Sequence, residues 1–286
     1  MLEVLAPAKI NLALDVLHKR DDGYHEVEMV MQTIDLWDTV NIELTSSGNI
    51  QLVCQHPEIP PDSGNLAWQA AELMCRHADY TGGVKILLDK KIPVAAGLAG
   101  GSANAAAVIR GLNKLLELGL TYSQMAKLGL QLGADVPFCI KGGTALARGI
   151  GEVLQGLLPP PPLWVILLTP GVSVSTGEVY NSFCPEQVKT RPDIARLIEA
   201  LQESSVPKMT ESMANVLESA TFRKVPMLAD LKRRALEKGA LAALMSGSGP
   251  TVFALAADYQ KAVAISNSLA HLVEFSHVTK FRGEHQ

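Results

Sequence analysis

Residues 93–104 read Pro93-Val94-Ala95-Ala96-Gly97-Leu98-Ala99-Gly100-Gly101-Ser102-Ala103-Asn104, and they restrict the possible folds more than any other stretch of the chain. Just before them, Val84, Ile86 and Leu88 alternate with Lys85, Leu87 and Asp89, the period of a strand. Just after, Ala105, Ala106, Ile109, Leu112 and Leu116 follow Ser102 at the spacing of one buried helix face. Gly97, Gly100 and Gly101 remove the side chains that would hold a ligand off the backbone. Ser102 stands where an N-cap is expected, with the free N–H groups of the first helical turn beyond it. A glycine-rich turn emptying into a helix N-terminus attracts anions, because aligned N–H dipoles face whatever sits there. Phosphate is the anion that suits it. The alternative is a tight strand-to-helix turn that is glycine-rich for packing alone. No Gly-Lys-Ser/Thr follows, so this is not a P-loop, and the glycines are not spaced as in the dinucleotide fingerprint. Gly101-Ser102-Ala103 matches part of a hydrolase nucleophile elbow, but Asn104 replaces its last glycine.

Elsewhere strands and helices interleave. Residues 3–17 and 26–46 alternate as strands, joined by a turn at Asp21-Asp22-Gly23. Asn65 is placed to cap a helix whose buried face carries Ala70, Leu73, Met74 and His77, and Ser123 to cap one that ends at Gly133. The run Pro159 to Pro162 can continue neither a helix nor a central strand, which makes it the expected boundary between a domain over 1–158 and another over 163–286. Past it, Trp164 to Leu168 reads as a buried strand, and Ser175-Thr176-Gly177-Glu178 has capping-box spacing. Helices are expected over 192–203, 209–222, 227–238 and 258–270, with strands near 241–245, 251–256 and 273–281. This interleaving predicts an α+β fold rather than a doubly wound parallel sheet.

A chain of 286 residues with 48% hydrophobic content can bury a large core. Its formal net charge of −4 supplies no global field for nucleic acid or an anionic membrane, so any attraction for phosphate must be local. No apolar run approaches the roughly 20 residues of a membrane helix, and the start of the chain lacks a signal-peptide pattern. Cys54, Cys75, Cys139 and Cys184 lack zinc-site spacing and read as free thiols in a reducing cytoplasm, Cys139 as a core residue. His18, His56, His77, His271, His277 and His285 form no ligand-spaced cluster.

Four further segments narrow the function. Ala6-Pro7-Ala8-Lys9-Ile10-Asn11-Leu12 is followed by Asp21-Asp22-Gly23-Tyr24-His25-Glu26, then comes Gly133-Ala134-Asp135-Val136-Pro137-Phe138, and near the end lies Met245-Ser246-Gly247-Ser248-Gly249-Pro250-Thr251-Val252-Phe253. Taken in order with the glycine-rich loop, from about residue 6 to 255, the chain resembles the GHMP kinase superfamily. Its Pro-Ala-Lys-Ile-Asn, Asp-Gly-Tyr-His and Gly-Ala-Asp-Val-Pro-Phe runs resemble the branch that phosphorylates the 2-hydroxyl of a diphosphocytidyl-linked methylerythritol in non-mevalonate isoprenoid synthesis. The resemblance implies a domain like ribosomal protein S5 domain 2 followed by a ferredoxin-like domain, a cytidyl small-molecule substrate, ATP with Mg²⁺, and ATP held by residues 93–104.

Two residues already stand out on chemical grounds. Lys9 interrupts an apolar strand, where an unpaired buried ammonium is unfavourable unless a carboxylate or phosphate meets it or its head reaches solvent. Asp135 follows the helix-ending Gly133 and could project into a cleft or simply occupy a turn before Pro137. The resemblance makes Asp135 the general base toward the substrate hydroxyl and Lys9 its catalytic partner on the transferring charge. It also implies that Tyr24 and His25 hold cytosine, with Tyr180 as the opposing wall and Asn11 and Thr176 as polar contacts to substrate. Tyr180 lies two residues past Glu178, so a core tyrosine is the alternative. Three positions depart from the family pattern. Ala103 replaces a second serine, Asn104 replaces an aspartate that could bind metal, and Ala99 replaces a glycine. The sequence holds no convincing protein ligand for Mg²⁺. Competing readings are a homoserine- or mevalonate-type GHMP kinase and a non-catalytic nucleotide-binding protein, the latter disfavoured because a mere binder needs no base.

Overall fold

A computed structural model describes residues 1–285. The chain opens with two long strands, β1 (Leu2–Lys19) and β2 (His25–Thr45), then β3 (Ile50–Cys54), α1 (Leu66–His77) and β4 (Gly83–Asp89). Helices α2 (Gly100–Leu115), α3 (Tyr122–Leu130) and α4 (Val136–Lys141) follow, and β5 (Thr144–Arg148) and β6 (Val153–Gly156) return to the sheet. β2 pairs antiparallel with β1 along most of its length, and with β4 and β5 over the separate stretches Thr39–Thr45 and Met29–Gln32. β3 runs parallel to β4, and β6 antiparallel to β5.

β1 is buried on both faces from Ala6 to Val16, and register shifts between Pro7 and Lys9 and between Asn11 and Ala13 divide its even-numbered residues between two cores. Ala8, Ile10 and Leu12 pack with Val165, Leu167, Phe253 and Leu255 of a second sheet, whereas Ala6, Leu14 and Val16 join the core that α1 and α2 complete. Ala103, Ala105, Ala106 and Ala107 keep α2 slim. Gly111 lets it approach most closely, because a Cβ there would lie 2.4 Å from Ile42 Cδ1.

The second sheet has the order β10-β7-β9-β8 and is antiparallel throughout. It is built from β7 (Trp164–Thr169), the helices α5 (Thr176–Asn181), α6 (Ile194–Gln202), α7 (Val206–Ser212), α8 (Glu218–Lys224) and α9 (Met227–Glu237), the pair β8 (Ala242–Met245) and β9 (Val252–Ala256), α10 (Tyr259–Leu269) and β10 (Phe275–Lys280). A strand, helices, two strands, a helix and a strand in that spatial order make a ferredoxin-like arrangement. The α+β class and its ferredoxin-like second part are both present.

Several local expectations are corrected. Thr121, not Ser123, caps α3, through a capping box with Gln124, and the helix stops at Leu130. Ser175 caps Glu178 N, but the Glu178 carboxylate turns to Lys224, so only half of that box forms. His77 is exposed, outside the buried face that Ala70, Leu73 and Met74 do form. The helix expected over 209–222 is broken, because Leu14 N donates to Ala214 O and Val216 N to Leu14 O, which holds this segment extended along β1. After β10 the chain leaves the second sheet. Phe281 bridges to Ile34 and Glu284 to Gly142, so residues 281–285 lie on the first sheet. All four cysteines are free, Cys139 in the core. No helix among the described residues is long and apolar enough to cross a membrane.

Candidate active site

A cleft of about 1020 Å³ opens where the glycine-rich loop, the β1–β2 hairpin and the second sheet meet. The loop enters from β4 and feeds α2, but the helix begins at Gly100 and its cap is Ala99, so Ser102 lies in the first turn rather than at the N-cap. Ala95 (φ 50°), Gly97 (φ 74°) and Ala99 (φ 57°) all sit in the left-handed region, at a cost of roughly 1–2 kcal/mol for each alanine. Tertiary hydrogen bonds hold this conformation: Lys9 N donates to Leu98 O (3.1 Å), Ser246 Oγ to Gly97 O (2.9 Å) and Thr251 N to Ala96 O (3.3 Å). Gly97 must be glycine, since a Cβ would come within 2.3 Å of Ser246 O. The first helical bond of α2 runs from Ala103 N to Ala99 O, which leaves the N–H groups of Gly100, Gly101 and Ser102 without helical acceptors, at the positive end of a 16-residue dipole. Every residue from Pro93 to Asn104 lines the cleft except Leu98 and Ala103, which are buried beneath it.

Behind the loop lies a polar cluster that the sequence does not reveal. Asp38 is fully buried; its Oδ1 accepts from Lys91 N (2.7 Å) and Ile92 N (2.9 Å), and its Oδ2 from Asn104 Nδ2 (2.8 Å) and the Lys90 ammonium. Lys90 also reaches Asn104 Oδ1 at 3.2 Å and lines the cleft. Asn104 is therefore a member of the cluster that anchors the loop.

Lys9 and Asp135 come together as expected. Lys9, on a strand bulge and almost fully buried, places Nζ 3.6 Å from Asp135 Oδ2 and donates to Asn11 Oδ1 at 2.7 Å. Asp135 precedes α4 in helical geometry and makes no capping bond, so its carboxylate, with the side chain 32% exposed, is free to act in the cleft. Phe138, Cys139 and Ile140 fix α4 in the core behind it. Asn11 is wholly buried, with Nδ2 on Met29 Sδ, and lies behind Lys9 and Met29, which line the cleft.

At the hairpin end, His25 rather than Tyr24 lies against Tyr180, with ring centroids 5.3 Å apart and a 38° tilt. Tyr24 is 60% exposed on the cleft wall. Tyr180 is half-buried and lines the cleft. Burial, helped by the Asp135 carboxylate, raises its hydroxyl pKa, so it stays a donor. Burial and the nearby Lys19 lower that of His25, so its ring is neutral near pH 7 and can both donate and accept. Thr176 Oγ1 lies 2.8 Å from Ser248 Oγ and so joins α5 to the Ser246–Gly249 turn.

Comparison with known proteins agrees with this geometry. The family models described as GHMP kinases N terminal domain and GHMP kinases C terminal match residues 65–143 and 191–274. The chain is 48% identical over 282 residues to the 4-diphosphocytidyl-2-C-methyl-D-erythritol kinase of Brevibacillus brevis, covering 99% of this chain and 97% of that one. It is 47% identical over 281 residues to that of Exiguobacterium sibiricum, with 98% of each covered. The chain belongs to the 4-diphosphocytidyl-2-C-methyl-D-erythritol kinase family of the GHMP kinases. A crystal structure of 4-(cytidine 5'-diphospho)-2C-methyl-D-erythritol kinase superposes with a TM-score of 0.85 at 35% identity, covering 99% of this chain and 100% of that one. Homoserine kinase from Cytophaga hutchinsonii, at 22% identity and a TM-score of 0.80 over 100% of this chain and 95% of that one, shares the fold.

Proposed function

We propose that this protein transfers the γ-phosphoryl group of ATP to the 2-hydroxyl of 4-diphosphocytidyl-2-C-methyl-D-erythritol, in the non-mevalonate route to isoprenoid precursors. The observation that carries the reading is the Lys9–Asp135 pair, set in one cleft with the free amides of α2 at one end and the His25–Tyr180 pair at the other. Asp135 takes the hydroxyl proton. The oxygen it frees attacks the γ-phosphorus, and the bond to the β,γ-bridging oxygen breaks to release ADP. Lys9, held by Asn11, stabilises the negative charge spread over the transferring group. Residues 93–104 hold the ATP phosphates through backbone N–H groups, with Lys90 adding a fixed positive charge. His25, Tyr24 and Tyr180 hold cytosine by stacking and edge hydrogen bonds, and Thr176 contacts the substrate near Ser248.

Among the described residues no cluster of three or more His, Cys, Asp or Glu side chains could hold a metal. A magnesium carried on the phosphates of ATP would find the Ser102 hydroxyl as a protein oxygen in the cleft and would neutralise phosphate charge there, leaving Asp135 to take the hydroxyl proton. Four free thiols suit the reducing cytoplasm as its compartment. The two ends of the chain read as two domains, 1–158 and 163–286, meeting at the Pro159 to Pro162 run.

A coupled ADP-release assay offering the cytidyl alcohol, homoserine and mevalonate separately tests the proposal. Turnover confined to the cytidyl substrate is expected. Turnover with homoserine or mevalonate instead would move the chain to another GHMP specificity, and ATP binding without turnover on any acceptor would make it a nucleotide-binding protein.

A further inference from the structure

Where the expected helix over 209–222 breaks, the segment between α7 and α8 carries Asn215. Asn215 is 3% exposed, and three hydrogen bonds occupy its side chain. Its Nδ2 donates to Met245 O (2.8 Å) and to Gly247 O (2.7 Å), while Oδ1 accepts from Leu217 N (3.0 Å). On either side of it, Ala214 and Val216 are bonded through their backbones to Leu14 of β1, the strand that carries Lys9. One side chain thus ties β1 to the turn after β8.

That turn is Ser246–Gly249, closed by Gly249 N to Ser246 O at 2.9 Å, with Gly247 at φ 56° as its first central residue. The central peptide of a β-turn is the one that can flip, and glycine removes the side chain that would resist. By taking the Gly247 carbonyl, Asn215 selects one of the two orientations. A trans peptide points its C=O and the next N–H in opposite directions. With Gly247 O turned to Asn215, the Ser248 N–H is turned to the opposite side, and both Gly247 and Ser248 line the cleft. Neither the Gly247 nor the Ser248 N–H has a hydrogen-bond partner among the described residues. The turn also lies beside the catalytic pair, since a Cβ on Gly247 would be 3.6 Å from Lys9 Nζ. Thr221 Oγ1 holds the next carbonyl, Ser248 O, at 3.1 Å.

We propose that Asn215 is a positioning residue, locking the Gly247–Ser248 peptide so that the Ser248 N–H donates to the phosphoryl group in transfer. The proposal rests on the kinase reading above and adds a donor that the glycine-rich loop does not supply. Thr221 holds the following peptide, Ser248–Gly249, and so steadies the same turn from its other end. A donor used only in the transition state leaves ground-state binding unchanged and lowers turnover.

The test compares Asn215→Ala and Thr221→Val with the unaltered protein, measuring kcat, both KM values, and affinity for ADP with and without aluminium fluoride, a mimic of the transferring phosphoryl group. Loss of one such donor lowers kcat by about 10²-fold. Asn215→Ala is therefore expected to lose about that much kcat, keep both KM values within about twofold, and lose most of the tightening that aluminium fluoride gives ADP. Thr221→Val, which keeps the side-chain shape, is expected to show the same pattern at about tenfold or less. A purely structural role would lower the melting temperature and the active fraction while the folded protein kept its aluminium fluoride response, and that result overturns the proposal. If Asn215→Ala does not fold, Thr221→Val decides, and an unchanged response in it is also fatal. An inactive unaltered protein would overturn the kinase reading itself, whereas an active one with indifferent variants overturns only the role of Asn215.

Discussion

The buried cluster behind the glycine-rich loop allows a sharp test, because Asp38 divides its two oxygens between different duties. Oδ1 serves the backbone N–H groups of Lys91 and Ile92, and Oδ2 serves Lys90 and Asn104. Asp38→Asn can keep an oxygen on the two backbone donors while placing an amide NH₂ against the Lys90 ammonium and the Asn104 amide. The change thus removes the charge pairing and leaves the loop's backbone bonds in place. The side chains of Lys90 and Asp38 are 4% and 0% exposed, so solvent cannot replace the lost partner. Breaking a buried pair by removing one member costs about 3–5 kcal/mol, and that loss is expected in urea unfolding of Asp38→Asn. Lys90→Met removes the charge that must be matched, so Asp38→Asn made in the Lys90→Met background should cost about 2–3 kcal/mol less than it does alone. The same single variant should raise KM for ATP more than KM for the cytidyl substrate, because the cluster abuts the start of α2 and not the hairpin. Strict additivity of the two changes, within about 0.5 kcal/mol, would refute the idea that Asp38 and Lys90 act as a matched pair.

Asp135→Asn should lower kcat by roughly 10²–10⁴-fold, the usual share of a general base, with little change in substrate affinity by calorimetry; near-normal turnover would remove Asp135 from the role. His25→Ala should weaken the cytidyl substrate by about 1–3 kcal/mol through an unmet hydrogen bond and leave ATP untouched, so a loss confined to ATP would reassign the hairpin end of the cleft. His285 provides a pH signature: burial, reinforced by the nearby Arg110, lowers its pKa to about 4. The unfolded chain binds a proton there near pH 6.5 and the folded one does not. Its contribution to stability is therefore present above that pH and is lost as pH falls toward 4. In His285→Gln the slope of stability between those values should flatten, and an unchanged slope would show that His285 is not the group responsible.

The features of the site that the sequence reveals are those whose chemistry is local. Three glycines within five residues mark the loop, and a lysine in an apolar strand marks Lys9, since each is odd in its own neighbourhood. Asp38 has no such mark. It reads as one more polar residue in an alternating strand, and its meaning lies with Lys90 and Asn104, 52 and 66 residues away. Ser102 misleads because an N-cap serine is the common choice, and nothing in the sequence says that Ala99 adopts a left-handed conformation alanine disfavours. Periodicity over 209–222 predicts an unbroken helix for a similar reason. The bonds that interrupt it run to Leu14, Met245 and Gly247, and such tertiary partners override local propensity. Strands β3, β5 and β6 are short and carry little alternation of their own, so only their pairing with β4, β2 and β5 respectively defines them.

The division of β1 between two cores bears on how such a chain can be dismantled or recombined. Residues 1–158 made alone would expose Ala8, Ile10 and Leu12, and residues from 163 onward would expose Val165, Leu167, Phe253 and Leu255, each set having lost the surface that dries it. Neither piece is a portable part, and both would be prone to clump through the bared face. A chimaera that exchanges the β1–β2 hairpin must therefore carry over the alternate residues of β1 along with the second sheet they face. The hairpin end of the cleft and the seam between the halves are inherited together, because one strand serves both.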